Sequence, residues 1–187
     1  SLLFVGKLDT WDQQLPGVPA GLPRVAFPLA PRTDCDTWDS ITARTEPLAG
    51  HVTRGADELA MIIYTSGSTG TPKGVMLTHA NVFANVDSLA QAFPALKNDV
   101  FIGVLPLFHS FGQTVIQNGT IAGGGTFTLL PRFEPKKCYE ILERDRVTIL
   151  AGVPTMYFAL LHHEQERDYD LSSLKFCMTG GAPMPVE

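Results

Sequence analysis

The stretch YTSGSTGTPKG, Tyr64 to Gly74, gathers six hydroxyl side chains and three glycines around one lysine. It follows the apolar run Leu59-Ala-Met-Ile-Ile63 and precedes Val75-Met-Leu77. A solvated turn needs a glycine and one or two polar residues. A phosphate cradle needs more: backbone N–H groups laid open by glycine, hydroxyl donors and a cation. Lys73 supplies the cation as a point charge. Pro72 fixes its own φ and drives Thr71 towards extended geometry, which aims the lysine. The Walker A pattern G-x-x-x-x-G-K-[ST] is not met. Counted from Gly67, Pro72 stands where its second glycine belongs and Gly74 where its metal-binding hydroxyl belongs. A mobile surface hairpin is the plainer reading of the loop.

Outward from this loop, short β-type runs alternate with helical stretches. Strands are predicted at Ala60–Tyr64, Val100–Leu105, Thr126–Leu130, Val147–Ala151 and Lys175–Thr179. Helices are predicted over Thr78–Phe93, Ser110–Ala122, Pro135–Arg144 and Pro154–His163. Thr78 suits an N-cap, Glu134-Pro135 a helix start, and Glu140 with Arg144 an ion pair one turn apart. Gly123-Gly124-Gly125 reads as a helix stop. The alternation implies an α/β fold, a mostly parallel sheet with flanking helices. Ligands of such sheets bind beyond the carboxyl ends of the strands. The 64–74 loop, LPLFHSFG, AGVPT and TGGAPMP each follow a predicted strand, so all four are expected on one sheet edge. Residues 59–187 form this α/β region. Residues 1–58, with the strand-like runs LLFVG and Val25-Ala-Phe27, stay unassigned.

The 187 residues are 44% hydrophobic, enough for a sizeable core. No apolar stretch nears the roughly 20 residues of a spanning helix, so membrane association is not indicated. A net charge of −5 and no basic run longer than Lys136-Lys137 argue against nucleic acid. Cys35, Cys138 and Cys177 stand apart, fit a reducing compartment and hence a cytoplasmic location, and read as buried structural thiols. No histidine lies at ligand spacing from them, so no metal site is expected in this stretch. His162-His163 reads as the solvated end of a helix. Oligomeric state is not legible from these residues.

YTSGSTGTPKGVMLTH resembles the signature loop of the adenylate-forming superfamily, which includes acyl-CoA synthetases, luciferase-type enzymes and peptide-synthetase adenylation domains. The likeness continues through LPLFHSFG, LPRFEPKKCYEILERDRVTILAGVPTMY and YDLSSLKFCMTGGAPMPVE. These stretches look most like fatty or aryl acyl-CoA ligases. The resemblance implies part of a large N-terminal domain that uses ATP, Mg2+ and coenzyme A on a small carboxylic acid. The acid becomes acyl-AMP, pyrophosphate leaves, and the coenzyme A thiol then displaces AMP.

By the same resemblance, Thr65, Ser66, Gly67, Ser68, Thr69, Gly70 and Lys73 hold the β- and γ-phosphates. His109 lies beside the carboxylate and the α-phosphate, and Phe111 lines the acyl pocket. Gly180, Gly181 and Ala182 carry the adenine and the acyl group. Arg132 falls where related ligases place a basic residue towards coenzyme A, although an exposed structural arginine fits as well. His109 also fits a helix-capping role. The superfamily's Mg2+-binding motif, ribose-binding aspartate, hinge and C-terminal lysine are not among these residues. The chain therefore reads as the middle of a longer protein, inactive alone. Alternatives are a peptide-synthetase adenylation domain, a luciferase-like enzyme, or a non-catalytic nucleotide-binding module.

Overall fold

The computed structural model describes residues 1–31, 34–66, 70–93, 98–164 and 167–184, in two units, Ser1–Thr53 and Arg54–Glu187. In the first unit, β1 (Leu3–Val5), β2 (Arg24–Ala26) and β3 (Asp36–Thr37) form a parallel sheet in that order. The runs LLFVG and Val25-Ala-Phe27 supply the first two strands. Helix α1 (Trp11–Gln14) buries Trp11. Helix α2 (Trp38–Arg44) starts at a reciprocal cap: Thr37 Oγ1 accepts from the Ser40 N–H and Ser40 Oγ from the Thr37 N–H, both at 3.1 Å. Phe27 stacks on Phe4 with ring centroids 5.1 Å apart. Neither β3 nor α2 is visible in the sequence pattern, because elements this short carry too little periodicity.

The second unit begins with β4 (Leu59–Thr65) and β5 (Lys73–Thr78), an antiparallel pair that sets Thr65 opposite Lys73. Helix α3 (His79–Ala92) follows directly. The predicted cap is present: Thr78 Oγ1 accepts from the Asn81 N–H at 3.3 Å, and Asn81 Oδ1 accepts from the Thr78 N–H at 3.0 Å. Strands β6 (Val100–Gly103), β7 (Thr126–Leu129), β8 (Ile149–Gly152) and β9 (Phe176–Thr179) make a parallel sheet in the order β7-β6-β8-β9. Between them run a π-helical stretch, Gly112–Asn118, that continues into α4 (Gly119–Gly123), then α5 (Pro135–Arg144) and α6 (Pro154–Leu161).

The chain leaves β6 towards β7, then crosses back to β8 and onward to β9. Right-handed crossovers therefore put α4 on one face and α5 and α6 on the other. The contacts agree: α5 touches α6, while α4 and the π-helical stretch touch α3. Phe101, Ile102 and Ile149 from the strands meet Ile116, Cys138 and Leu142 from the helices in the core. Each large apolar side chain buried there contributes about 1.5–3 kcal/mol. The sheet and its helices are the α/β arrangement read from the sequence.

Five details depart from that reading. The 64–74 loop does not end a strand of the parallel sheet. Val75-Met76-Leu77 pairs back on Ile63, Ile62 and Met61 across a connection too short for a parallel crossover. The helix at Ser110–Ala122 is wound as a π-helix over Gly112–Asn118. At Gly112 a Cβ would fall 2.3 Å from the Pro106 carbonyl oxygen, and at Gly119 one would fall 2.3 Å from Leu89 Cδ2. The wider turn fits between these two close approaches. Arg144 pairs with the adjacent Asp145 through two bonds of 2.7 Å and not with Glu140. Cys138 is buried, and desolvation pushes its thiol up to about 12, but strand alternation leaves Cys177 exposed and Cys35 is half-buried. His162 is exposed as expected, whereas His163 stacks half-buried against Tyr139.

Candidate functional site

The strand order reverses between β6 and β8, and such a reversal opens a crevice beyond the carboxyl ends of the two strands. His109 enters it from β6. Its N–H donates to Pro106 O at 3.0 Å, and its C=O accepts from the Gln113 N–H at 2.9 Å. Its Nδ1 accepts from the Phe111 N–H at 3.2 Å. The histidine thus caps the following helix. With Nδ1 engaged as an acceptor, the neutral ring carries its proton on Nε2, and the residue is exposed. Capping and ligand binding are therefore compatible, and the first fixes the tautomer available to the second.

Gly180 enters the same region from β9, its N–H donating to Gly152 O at 3.3 Å. The Phe111 ring occupies the space over it: a Cβ on Gly180 would lie 3.0 Å from Phe111 Cε1 and 3.2 Å from Cζ. Gly181 takes φ +82, a left-handed conformation that costs an L side chain about 1 kcal/mol or more, and a Cβ there would touch Val153 Cγ1 at 3.5 Å. Ala182 is exposed beyond them. LPLFHSFG, AGVPT and TGGAPMP therefore meet at the carboxyl ends of β6, β8 and β9.

The hairpin reaches this region from the side. A cavity of about 140 Å³ is lined by Met61, Ile63 and Leu77 of the hairpin and by Ser110, Gln113 and Thr114 of the helix that His109 caps. At the hairpin tip Thr65, Ser66, Gly70 and Lys73 are exposed, and Gly70 takes φ +80. Gly67, Ser68 and Thr69 lie outside the described residues. Arg132 stands exposed in the turn between β7 and α5, one strand further out than His109. It adds weakly to Lys137, whose hydrogen bond holds the Glu134 carboxyl below its usual range.

The arrangement combines an exposed imidazole donor, a glycine surface on which a planar ring can lie, and a hydroxyl-rich turn with one cation. These suit a planar ligand that carries phosphate. Among the described residues no three His, Cys, Asp or Glu gather as a metal set. Tyr157 escaped the sequence reading, since a tyrosine on an apolar helix reads as core. Its hydroxyl lies 2.8 Å from Leu150 O and 2.7 Å from Met178 O.

The family model for the AMP-binding enzyme matches residues 9–187. The long-chain-fatty-acid–CoA ligase of Bacillus subtilis strain 168 is 42% identical over 132 residues, 70% of this chain and 24% of that protein. The feruloyl-CoA synthase of an Amycolatopsis species is 39% identical over 133 residues, 71% of this chain and 27% of that protein. The crystal structure of ATP-bound MatB from Rhodopseudomonas palustris superposes with a TM-score of 0.77 at 30% identity, covering 97% of this chain and 35% of that one. The chain spans about a quarter to a third of the length of these relatives.

Proposed function

The chain belongs to the AMP-binding enzyme family, and we propose that the protein containing it activates a carboxylic acid with ATP and passes the acyl group to coenzyme A. The observation that carries this reading is the packing of Phe111 on Gly180 beside His109 at the strand-order reversal. In the first step an oxygen of the acid forms a bond to the α-phosphorus of ATP while the bond to the pyrophosphate oxygen breaks. Thr65, Ser66, Gly67, Ser68, Thr69, Gly70 and Lys73 hold the β- and γ-phosphates until they leave. The Nε2–H of His109 donates to an oxygen of the reacting carboxylate or α-phosphate, where charge is shared in the transition state. Gly180, Gly181 and Ala182 receive the adenine and the acyl group, and Phe111 bounds the acyl side. In the second step the coenzyme A thiolate attacks the acyl carbonyl and AMP departs. Arg132 is the candidate basic contact for coenzyme A.

No three His, Cys, Asp or Glu gather among the described residues, and the carboxylates that would hold Mg2+ against the phosphates are expected elsewhere in the protein. The acid proposed is a fatty acid, in keeping with the Bacillus relative. An aryl acid is the second reading, favoured by the likeness to the feruloyl-CoA synthase. The test uses the full-length protein with ATP, coenzyme A, and either palmitate or ferulate, its nucleotide products resolved by chromatography. AMP and pyrophosphate in step with thioester are expected. ADP as the stoichiometric product would overturn the reading, and the preferred acid decides between the two classes.

A further inference from the structure

Tyr157 lies in the first turn of α6, behind Pro154, which starts the helix directly at the end of β8. Side chains on a helix lean towards its N-terminus, and here that direction carries the phenol back over the sheet. The hydroxyl sits 2.8 Å from Leu150 O on β8 and 2.7 Å from Met178 O on β9. Its single proton is shared between carbonyls of neighbouring strands, Met178 lying two residues before Gly180. The ring also approaches Gly152, where a Cβ would meet Tyr157 Cε2 at 3.4 Å. Gly152 O is in turn the acceptor for the Gly180 N–H. One side chain therefore touches both strands and the residue that anchors the glycine segment.

We propose that Tyr157 is a positioning residue, holding β8 and β9 together so that Gly180-Gly181-Ala182 stands at the height where Phe111 and the adenylate meet it; this rests on the function proposed above. Burial pushes the phenol up, so it stays protonated as a donor and takes no part in proton transfer. Beyond the β8–β9 ladder and the bond from the Gly180 N–H to Gly152 O, the glycine segment brings almost no side chains of its own to hold it in place. Tyr157→Phe removes the hydroxyl and keeps the ring.

Two measurements on the full-length protein test the assignment. In Tyr157→Phe, hydrogen exchange at the amides of residues 176–184 should quicken about tenfold, the scale of one lost hydrogen bond, while α5 and β7 keep their protection. The KM for ATP in acyl-adenylate formation should rise about tenfold, with kcat within threefold of wild type. Unchanged exchange at 176–184 would overturn the proposal, and so would uniformly faster exchange with KM unaltered. A wild-type protein that makes no AMP would remove the functional reading and the adenylate part of the proposal. The exchange result would still decide whether Tyr157 holds the segment.

Discussion

The two ends of the β7-β6-β8-β9 sheet are built on opposite plans. At the amino end, Asp99 is only 3% exposed, and its Oδ1 accepts from Thr148 Oγ1 at 2.9 Å and from Lys175 Nζ at 2.5 Å. Thr148 Oγ1 also accepts from the Val100 N–H, and Asp99 O from the Thr126 N–H, both at 2.9 Å. Residues at the starts of all four strands are thereby tied to Asp99, β8 and β9 through its carboxylate and β7 through its backbone carbonyl. At the carboxyl end His109 and Ser110 are exposed, glycines replace bulk, and Phe108 is 88% exposed. The amino end spends its polar groups on one another, whereas the carboxyl end leaves them for a ligand. Stability and chemistry are thus separable along the strand axis, and substitutions at the two ends should separate them in measurement.

The largest effect on stability is expected from Lys175→Met, which leaves the buried Asp99 carboxylate without its cation. The cost should be about 3 kcal/mol, the low end for such a loss because the lysine side chain is itself 52% exposed. Denaturant unfolding of the full-length protein reads this, and kcat measured well below the transition should stay within threefold of wild type. Lost activity at unchanged stability would break the comparison. Lys73→Ala is its counterpart at the hairpin. Removing one charge-assisted hydrogen bond costs about 1.5–3 kcal/mol, or roughly 10- to 150-fold in adenylation. Thioester formation from supplied acyl-AMP should be spared, since pyrophosphate has already left, and the melting temperature should hold because the exposed lysine has few contacts to lose. Equal loss in both half-reactions would make Lys73 structural.

The smallest effect concerns the surface network beyond α5. Arg167 bonds to both Glu143 oxygens at 3.1 and 2.6 Å and lies 4.0 Å above the Tyr169 ring, while Arg146 meets Asp170 at 2.7 Å. The hydrogen bond from Arg167 brings Glu143 from its ordinary 4.5 down to about 2. Hydrogen bonds from Ser172 bring Asp170 from 3.8 to about 2. Folded values below the unfolded ones mean stability present above about pH 4.5 and lost as pH falls towards 2. The stability gap between wild type and Arg167→Gln should therefore narrow over that window, leaving what the Tyr169 contact contributes. A gap independent of pH would remove Glu143 from the account. Screening by solvent and salt keeps this effect modest.

What could be read in advance follows from how local each feature is. The apolar runs at Val100, Val147 and Lys175 mark strands because their signal is contained in a few consecutive residues. Thr78 marks a helix start because capping uses a partner three residues away. Strand order is not local, since it depends on which edge each crossover reaches. The second strand of the hairpin is hard to read because β5 begins with Lys73-Gly74, which breaks the apolar alternation. Its signal was present in the two apolar runs that flank a glycine-rich turn. At the site, the resemblance named Phe111 and Gly180 separately, while their contact required the fold. Asp99 and Tyr157 act through partners 49 and 21 residues away and leave no trace in sequence spacing.

The central claim is that the carboxyl-end crevice joins an acid to the α-phosphate of ATP. It is tested most directly with an acid whose carboxylate carries heavy oxygen, full-length protein, ATP and coenzyme A. Attack by the carboxylate on the α-phosphorus predicts one labelled oxygen in the AMP released when the thioester forms, detected by mass spectrometry. Label found in inorganic phosphate, with AMP unlabelled, would contradict the account.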